Sequence, residues 1–157
     1  MARAGADLAL LMLGGFRVLA ERGRVELAAR GYEDVRPGHD FALHAILTGA
    51  DTASDLGRRM SVTKQAAADT IATLQGRGYV EKEADPADRR RQRLRVTERG
   101  LALMREGEAV FDDLRRDWES QVGAARVAEL EAALRQLVGD DVVRPGFPGS
   151  ASEAIDR

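Results

Sequence analysis

Five arginines crowd into seven positions, Arg89, Arg90, Arg91, Arg93 and Arg95, directly after the stretch Asp85-Pro86-Ala87-Asp88. A guanidinium is a permanent cation with planar, forked donors, and its natural counterparts are phosphates and carboxylates. Upstream stands a second polar group, Thr63-Lys64-Gln65, at the leading end of a segment whose Ala67, Ile71 and Leu74 share one helical face. Lys64 can reach a phosphate or a guanine acceptor, Gln65 can pair bidentately with adenine, and Ala68 on the next turn offers only a methyl group. Cations at a loop tip beside a polar helix end suit a polyanion that also carries readable base edges.

The charge balance supports that reading only when it is resolved along the chain. Net charge is −2 over 157 residues, which alone argues against a polyanionic partner. Between Arg58 and Arg99, however, 11 Lys/Arg stand against 6 Asp/Glu, so the middle is basic and the flanks are acidic. One face suited to nucleic acid on an otherwise repelling molecule is the simplest account. The plainer alternative is that such charges merely solvate a surface.

Other chemistries find little support. There are no cysteines, which removes disulfides, thiolate metal sites and cysteine redox switching. His39 and His44 are five residues apart, a spacing that does not put both on one helix face. With Asp40 or Glu33 they would resemble metal ligands, but packing or surface roles suit them better, and no metal or cofactor is expected. No Gly-rich phosphate loop, paired-His motif or nucleophile elbow is present, so an enzyme is not expected. No apolar run reaches the roughly 20 residues of a membrane span. Leu8–Leu13 is too short and too interrupted for a secretory segment, and a cytoplasmic protein is expected.

The elements that must position these groups follow from periodicity and caps. A long helix is expected over 6–30, weakened at Gly14-Gly15 and stopped by Gly31. Pro37 opens a second helix through Leu47, with Phe41, Leu43 or His44, and Leu47 facing inward. Thr52, with Asp55 three residues on, predicts a capping box for a short helix ending near Met60. After the turn Ser61-Val62-Thr63, Thr63 caps a helix over 64–75, which completes a helix-turn-helix. Strands over 79–83 and 93–96, joined by the Asp-Pro turn, make a hairpin. Its Arg93 and Arg95 would face outward, as phosphate contacts or simply solvated. Thr97 caps a helix through about Ser120, and Val127, Leu130, Leu134 and Leu137 mark a last one.

The fold class expected is mainly α with a small β-hairpin wing, in four parts. A dimerisation helix spans 1–36, a winged helix-turn-helix lobe 37–100, dimerisation helices 101–139, and a loose Pro/Gly/Ser tail 140–157. Leu8, Leu11, Met12, Val18, Phe111, Leu114, Trp118, Leu130, Leu134 and Leu137 lie outside the lobe. That is more apolar surface than a small lobe covers, and a homodimer accounts for it.

Three ordered stretches resemble the MarR family of winged-helix regulators: Thr52-Ala53-Ser54-Asp55-Leu56, then Thr63-Lys64-Gln65-Ala66-Ala67 through Gly78-Tyr79-Val80, then Asp85-Pro86-x-Asp88-Arg89-Arg90 with Leu94-x-Val96-Thr97-x-x-Gly100. The resemblance implies a homodimer on double-stranded DNA at a pseudo-palindromic operator, usually as a repressor. In that scheme Thr63, Lys64, Gln65 and Ala68 enter the major groove, while Asp88 orients the wing and Arg90 enters the minor groove between Arg89 and Arg91. Arg58, Arg59 and Ser61 would contact the backbone, and Asp69 either joins the residues that reach base edges or takes a structural role by pairing with a nearby arginine. It also implies a small effector, in the family often aromatic or phenolic, for which Arg17, Phe41, His44 and Trp118 are candidate lining groups. A winged-helix module that binds protein rather than DNA is the alternative.

Overall fold

The computed structural model describes residues 4–139, so the expected tail over 140–157 lies outside the described residues. Within them, six helices flank one antiparallel hairpin. Helix α1 (Ala4–Ala29) runs through Gly14-Gly15 and stops before Gly31, whose φ of +90° suits a residue without Cβ. Helix α2 (Pro37–Leu47) starts on a proline, whose missing N–H would have had no helical partner. The Arg36 N–H donates instead to His39 Nδ1 at 3.2 Å, which ties down the first turn.

The inward face of α2 is Ala42, Leu43 and Ile46. Of the alternatives at the middle position, Leu43 is the buried one, while His44 and Leu47 turn to solvent. The reason is helical phase: once Leu43 and Ile46 face the core, Leu47 lies beyond the edge of the buried stripe.

Helix α3 (Ala53–Met60) and helix α4 (Lys64–Gly76) pack against each other and against α2. Strands β1 (Val80–Ala84) and β2 (Gln92–Val96) pair with Val80 opposite Val96 and Ala84 opposite Gln92. Val80, Leu94 and Val96 of the hairpin, Leu56 of α3, Leu74 of α4, and Leu103 and Met104 of helix α5 (Glu98–Val122) share one core. Each fully buried side chain of this kind contributes about 1.5–3 kcal/mol.

The hairpin is anchored at both margins. Thr97 Oγ1 donates to the Gly78 carbonyl at 2.6 Å, and the Leu94 N–H donates to the Asp51 carbonyl at 3.2 Å. Gly100 is required where α5 crosses the chain, because a Cβ there would collide with the Tyr79 carbonyl and lie 2.7 Å from Val96 Cγ1. Behind this joint Arg99 lies over the rings of Tyr32 and Tyr79, at 6.0 and 5.3 Å from their centroids.

Helices α1, α5 and α6 (Ala124–Val138) form the other half of the molecule. Arg30 of α1 bridges Glu106 and Asp113 of α5, and Arg115 of α5 reaches Glu131 of α6. Leu114, expected on the free apolar face, is instead 3% exposed, because α5 turns Val110 and Leu114 toward the core of its own chain. Leu134 is half-buried as well. Leu8, Leu11, Val18, Phe111, Trp118, Leu130 and Leu137 remain exposed, as does Met12. Among the described residues no helix is long and apolar enough to cross a membrane.

Candidate nucleic-acid interface

The helix-turn-helix is built from caps and one tight turn. Thr52 Oγ1 accepts the Asp55 N–H at 3.1 Å, so the forward half of the expected capping box is present. The reverse half is replaced: the Asp55 carboxylate accepts the Thr52 hydroxyl at 2.9 Å and pairs with Arg58. An Asp side chain is one methylene shorter than the Glu that usually reaches back to the N-cap amide. Ser61 ends α3 in the left-handed region, with φ of 53°. The Val62 N–H returns to the Gly57 carbonyl at 2.9 Å, and a Cβ at Gly57 would lie 3.0 Å from the Val62 carbonyl oxygen. Thr63 Oγ1 then accepts the Ala66 N–H at 3.1 Å and starts α4.

This turn leaves the leading end of α4 in solvent. Thr63, Lys64, Gln65, Ala66, Asp69 and Ala72 are exposed, whereas Ala67, Ile71 and Leu74 face the core. Ala68 is only partly exposed, on the flank of that outer stripe. Among the described residues Asp69 pairs with no arginine; its partner is Gln65, whose Nε2 donates to Oδ1 at 3.0 Å. The i,i+4 spacing puts the two side chains one above the other.

The wing tip is ordered by its acids. Asp85 Oδ1 accepts the Ala87 N–H at 2.9 Å, and Asp88 Oδ1 accepts the Arg90 N–H at 3.0 Å. The Asp85 N–H to Arg91 carbonyl bond, 2.9 Å, closes the loop. Two Asx-type turns in succession thus carry Arg89, Arg90 and Arg91 outward, all exposed and with no ion-pair partner among the described residues.

Arg93 and Arg95 behave differently from the expectation of phosphate contacts or solvated groups. Register sets Arg93 opposite Glu83 and Arg95 opposite Glu81. Arg93 Nη2 lies 2.6 Å from Glu83, while Arg95 pairs with Glu81 and, through Nε, with Glu83 at 3.0 Å. The Glu81 hydrogen bond and charge raise the Arg95 pKa further above its already high value. These two arginines stiffen the hairpin.

Of the other candidates, Arg58 is exposed and paired with Asp55. Arg59 Nη1 donates to Thr48 Oγ1 at 2.8 Å and to the Ala45 carbonyl at 3.3 Å, which caps the C-terminus of α2. Ser61 is exposed at the turn. The four candidate effector-lining residues differ in exposure. Arg17, His44 and Trp118 are exposed, Phe41 is packed against the core, and no hydrogen bond or ion pair joins them among the described residues.

One clamp was not expected from the sequence. Arg77, just past α4, donates to the Glu33 and Asp34 carbonyls at 3.2 and 2.9 Å and to Asp34 Oδ2 at 3.2 Å. Asp34 itself has a φ of 51°, and the Arg77 hydrogen bond holds its carboxyl below the usual range. A basic residue directly after a helix gives a faint signal for this, but its partner is 43 residues away.

A three-helix lobe with a capped, solvent-facing second helix and a following two-stranded hairpin is a winged helix-turn-helix. A MarR family model matches residues 41–91. Among solved structures, the chain resembles a cysteine-to-serine mutant of MarR from E. coli, with 23% identity, 88% of this chain and 98% of that one covered, and a TM-score of 0.65. It also resembles CouR from Rhodococcus jostii RHA1 bound to p-coumaroyl-CoA, with 19% identity, 90% and 99% coverage and a TM-score of 0.62. A third is a mutant of S. aureus MepR bound to an oligodeoxyribonucleotide, with 16% identity, 83% and 95% coverage and a TM-score of 0.57. Comparison with curated protein sequences gives no match. The family match is confined to residues 41–91, and the described residues carry the winged-helix fold of these solved structures.

Proposed function

We propose that the protein is a sequence-specific, double-stranded-DNA-binding transcription regulator and not an enzyme. It acts as a homodimeric repressor on a pseudo-palindromic operator, and a small, often aromatic effector releases it. The observation that supports this most is the trio Arg89, Arg90 and Arg91, exposed and unpaired among the described residues, while Arg93 and Arg95 are committed to Glu83 and Glu81. Unpaired guanidinia at a fixed tip suit phosphates and the narrow minor groove. The solvent-facing end of α4, Thr63, Lys64, Gln65 and the flanking Ala68, suits the major groove beside it. Asp88 orients the tip through the Arg90 amide, and the exposed Arg58, Arg59 and Ser61 would supply backbone contacts that position the lobe.

Homodimerisation is supported by exposed Leu8, Leu11, Val18, Leu130 and Leu137 on α1 and α6. With half-sites read by symmetric lobes, their centres would lie about one helical turn, roughly 10 bp, apart. Effector response rests on likeness to proteins such as the p-coumaroyl-CoA-bound CouR. Arg17, Phe41, His44 and Trp118 are the residues that would line such a site.

The deciding experiment is selection of bound sequences from random duplexes, followed by titration of the winner across a salt series. The expected result is a pseudo-palindrome whose affinity falls steeply with salt. Purified protein that ignores duplex even in dilute buffer would overturn the proposal in favour of a protein-binding module. Screening small aromatics against the bound duplex then tests release.

A further inference from the structure

Gln65 and Asp69 form a unit on the solvent-facing stripe of α4. Gln65 Nε2 donates to Asp69 Oδ1 at 3.0 Å, and both residues are exposed. A carboxylate ionised at neutral pH only accepts hydrogen bonds, so the nitrogen of the Gln65 amide must face Asp69. The carbonyl oxygen and the second N–H therefore point away as a fixed acceptor–donor pair. The neighbouring exposed positions on this face, Ala66 and Ala72, carry methyl groups alone. No Lys or Arg pairs with Asp69 among the described residues, so its charge stays uncompensated on the face nearest a polyanion. A bare anion there weakens binding to every duplex, and it gains something only through discrimination.

We infer that Asp69 is a specificity-determining positioning residue, which holds the Gln65 amide in the one orientation that matches adenine. Adenine shows an N7 acceptor beside an N6 donor in the major groove, complementary to that fixed pair. Guanine shows two acceptors, which the outward carbonyl oxygen of Gln65 and the Asp69 carboxylate both disfavour. Without Asp69 the amide can turn over, and its preference for adenine is lost. The inference deepens the proposed DNA-binding function and rests on it.

The experiment compares sequences selected from random duplexes by wild type, Gln65→Ala, Asp69→Asn and Asp69→Glu. Wild type should enrich adenine at one position in each half-site, and Gln65→Ala should lose that preference alone. Asp69→Asn should reduce discrimination at the same position about tenfold, the scale of one good bidentate contact, while it binds random duplex more tightly. Asp69→Glu keeps an acceptor-only partner and should restore most of the preference. A residue that only stabilised the helix would shift affinity for all sequences equally. Asp69→Asn with unchanged base preference, or a wild-type motif indifferent to Gln65, would overturn the inference and leave DNA binding intact. Wild type that enriches nothing would remove both.

Discussion

Arg90 and Arg93 are three residues apart and chemically identical, yet their surroundings assign them different work. The Arg90 amide is fixed by Asp88 while its guanidinium stays free among the described residues; the Arg93 guanidinium is held by Glu83. Arg90→Ala should therefore weaken operator binding and lower the slope of log affinity against log salt by about one. Arg93→Ala should leave that slope unchanged and cost the fold less than about 1 kcal/mol, as half-exposed ion pairs do. Equal slopes for the two variants, read from binding isotherms at several salt concentrations, would contradict this division. Arginine at the tip was legible in the sequence, but its commitment was not, because cross-strand partners depend on register. The same holds for Asp69: Gln65 lies at i−4 in the sequence, but nothing there says that no arginine comes closer. Gly100 shows the opposite case, a position whose constraint is purely spatial. Gly100→Ala pushes a methyl into the Tyr79 carbonyl and Val96, and should lower stability by about 1–3 kcal/mol in chemical denaturation.

At the scale of elements, caps and turns carried most of the legibility. Thr52, Thr63 and Thr97 were readable as N-caps because each hydroxyl precedes an amphipathic run, and each accepts the expected amide. The inward face of α2 was harder to read, since Phe41, Leu43, His44 and Leu47 leave the helical phase open until α3 and α4 pack on it. Its first turn carries a pH dependence. His39 Nδ1 accepts the Arg36 N–H, which requires the neutral ring, and burial pushes the His39 pKa below its ordinary 6.5, helped by the Arg77 charge. The folded state thus binds fewer protons than the unfolded chain as pH drops through the ordinary histidine range. Stability should be full above about pH 6.5 and decline below it. Thermal melts from pH 7 to 5 should show the decline in wild type and a flatter profile in His39→Gln, whose side chain can accept the same amide without titrating. Identical profiles would show that His39 is not responsible.

The whole molecule divides into a closed lobe and a set of helices with apolar surface left over. Leu11 is 73% exposed and Leu137 67%, values at which a leucine adds little to its own protomer. Leu11→Glu with Leu137→Glu should therefore preserve helical content by circular dichroism, convert a dimer into a monomer by sedimentation, and abolish tight operator binding. A wild-type monomer at micromolar concentration would overturn the dimer. The surplus of apolar side chains was visible in the sequence, whereas the burial of Leu114 within its own protomer was not, because which stripe of a long helix faces home depends on the tilt of α1 against α5. The Asx-ordered tip has one more consequence, on a chromatography column. With a sequence pI near 5.8, the protein should bind an anion exchanger at pH 8 as any acidic protein does. It should also stay on immobilised heparin until a salt gradient removes it, because a resin samples a local cluster of guanidinia rather than the sum of all charges. Replacing Arg89, Arg90 and Arg91 together should send it into the heparin flow-through, and retention of that triple variant would mean that the anion-binding face lies elsewhere.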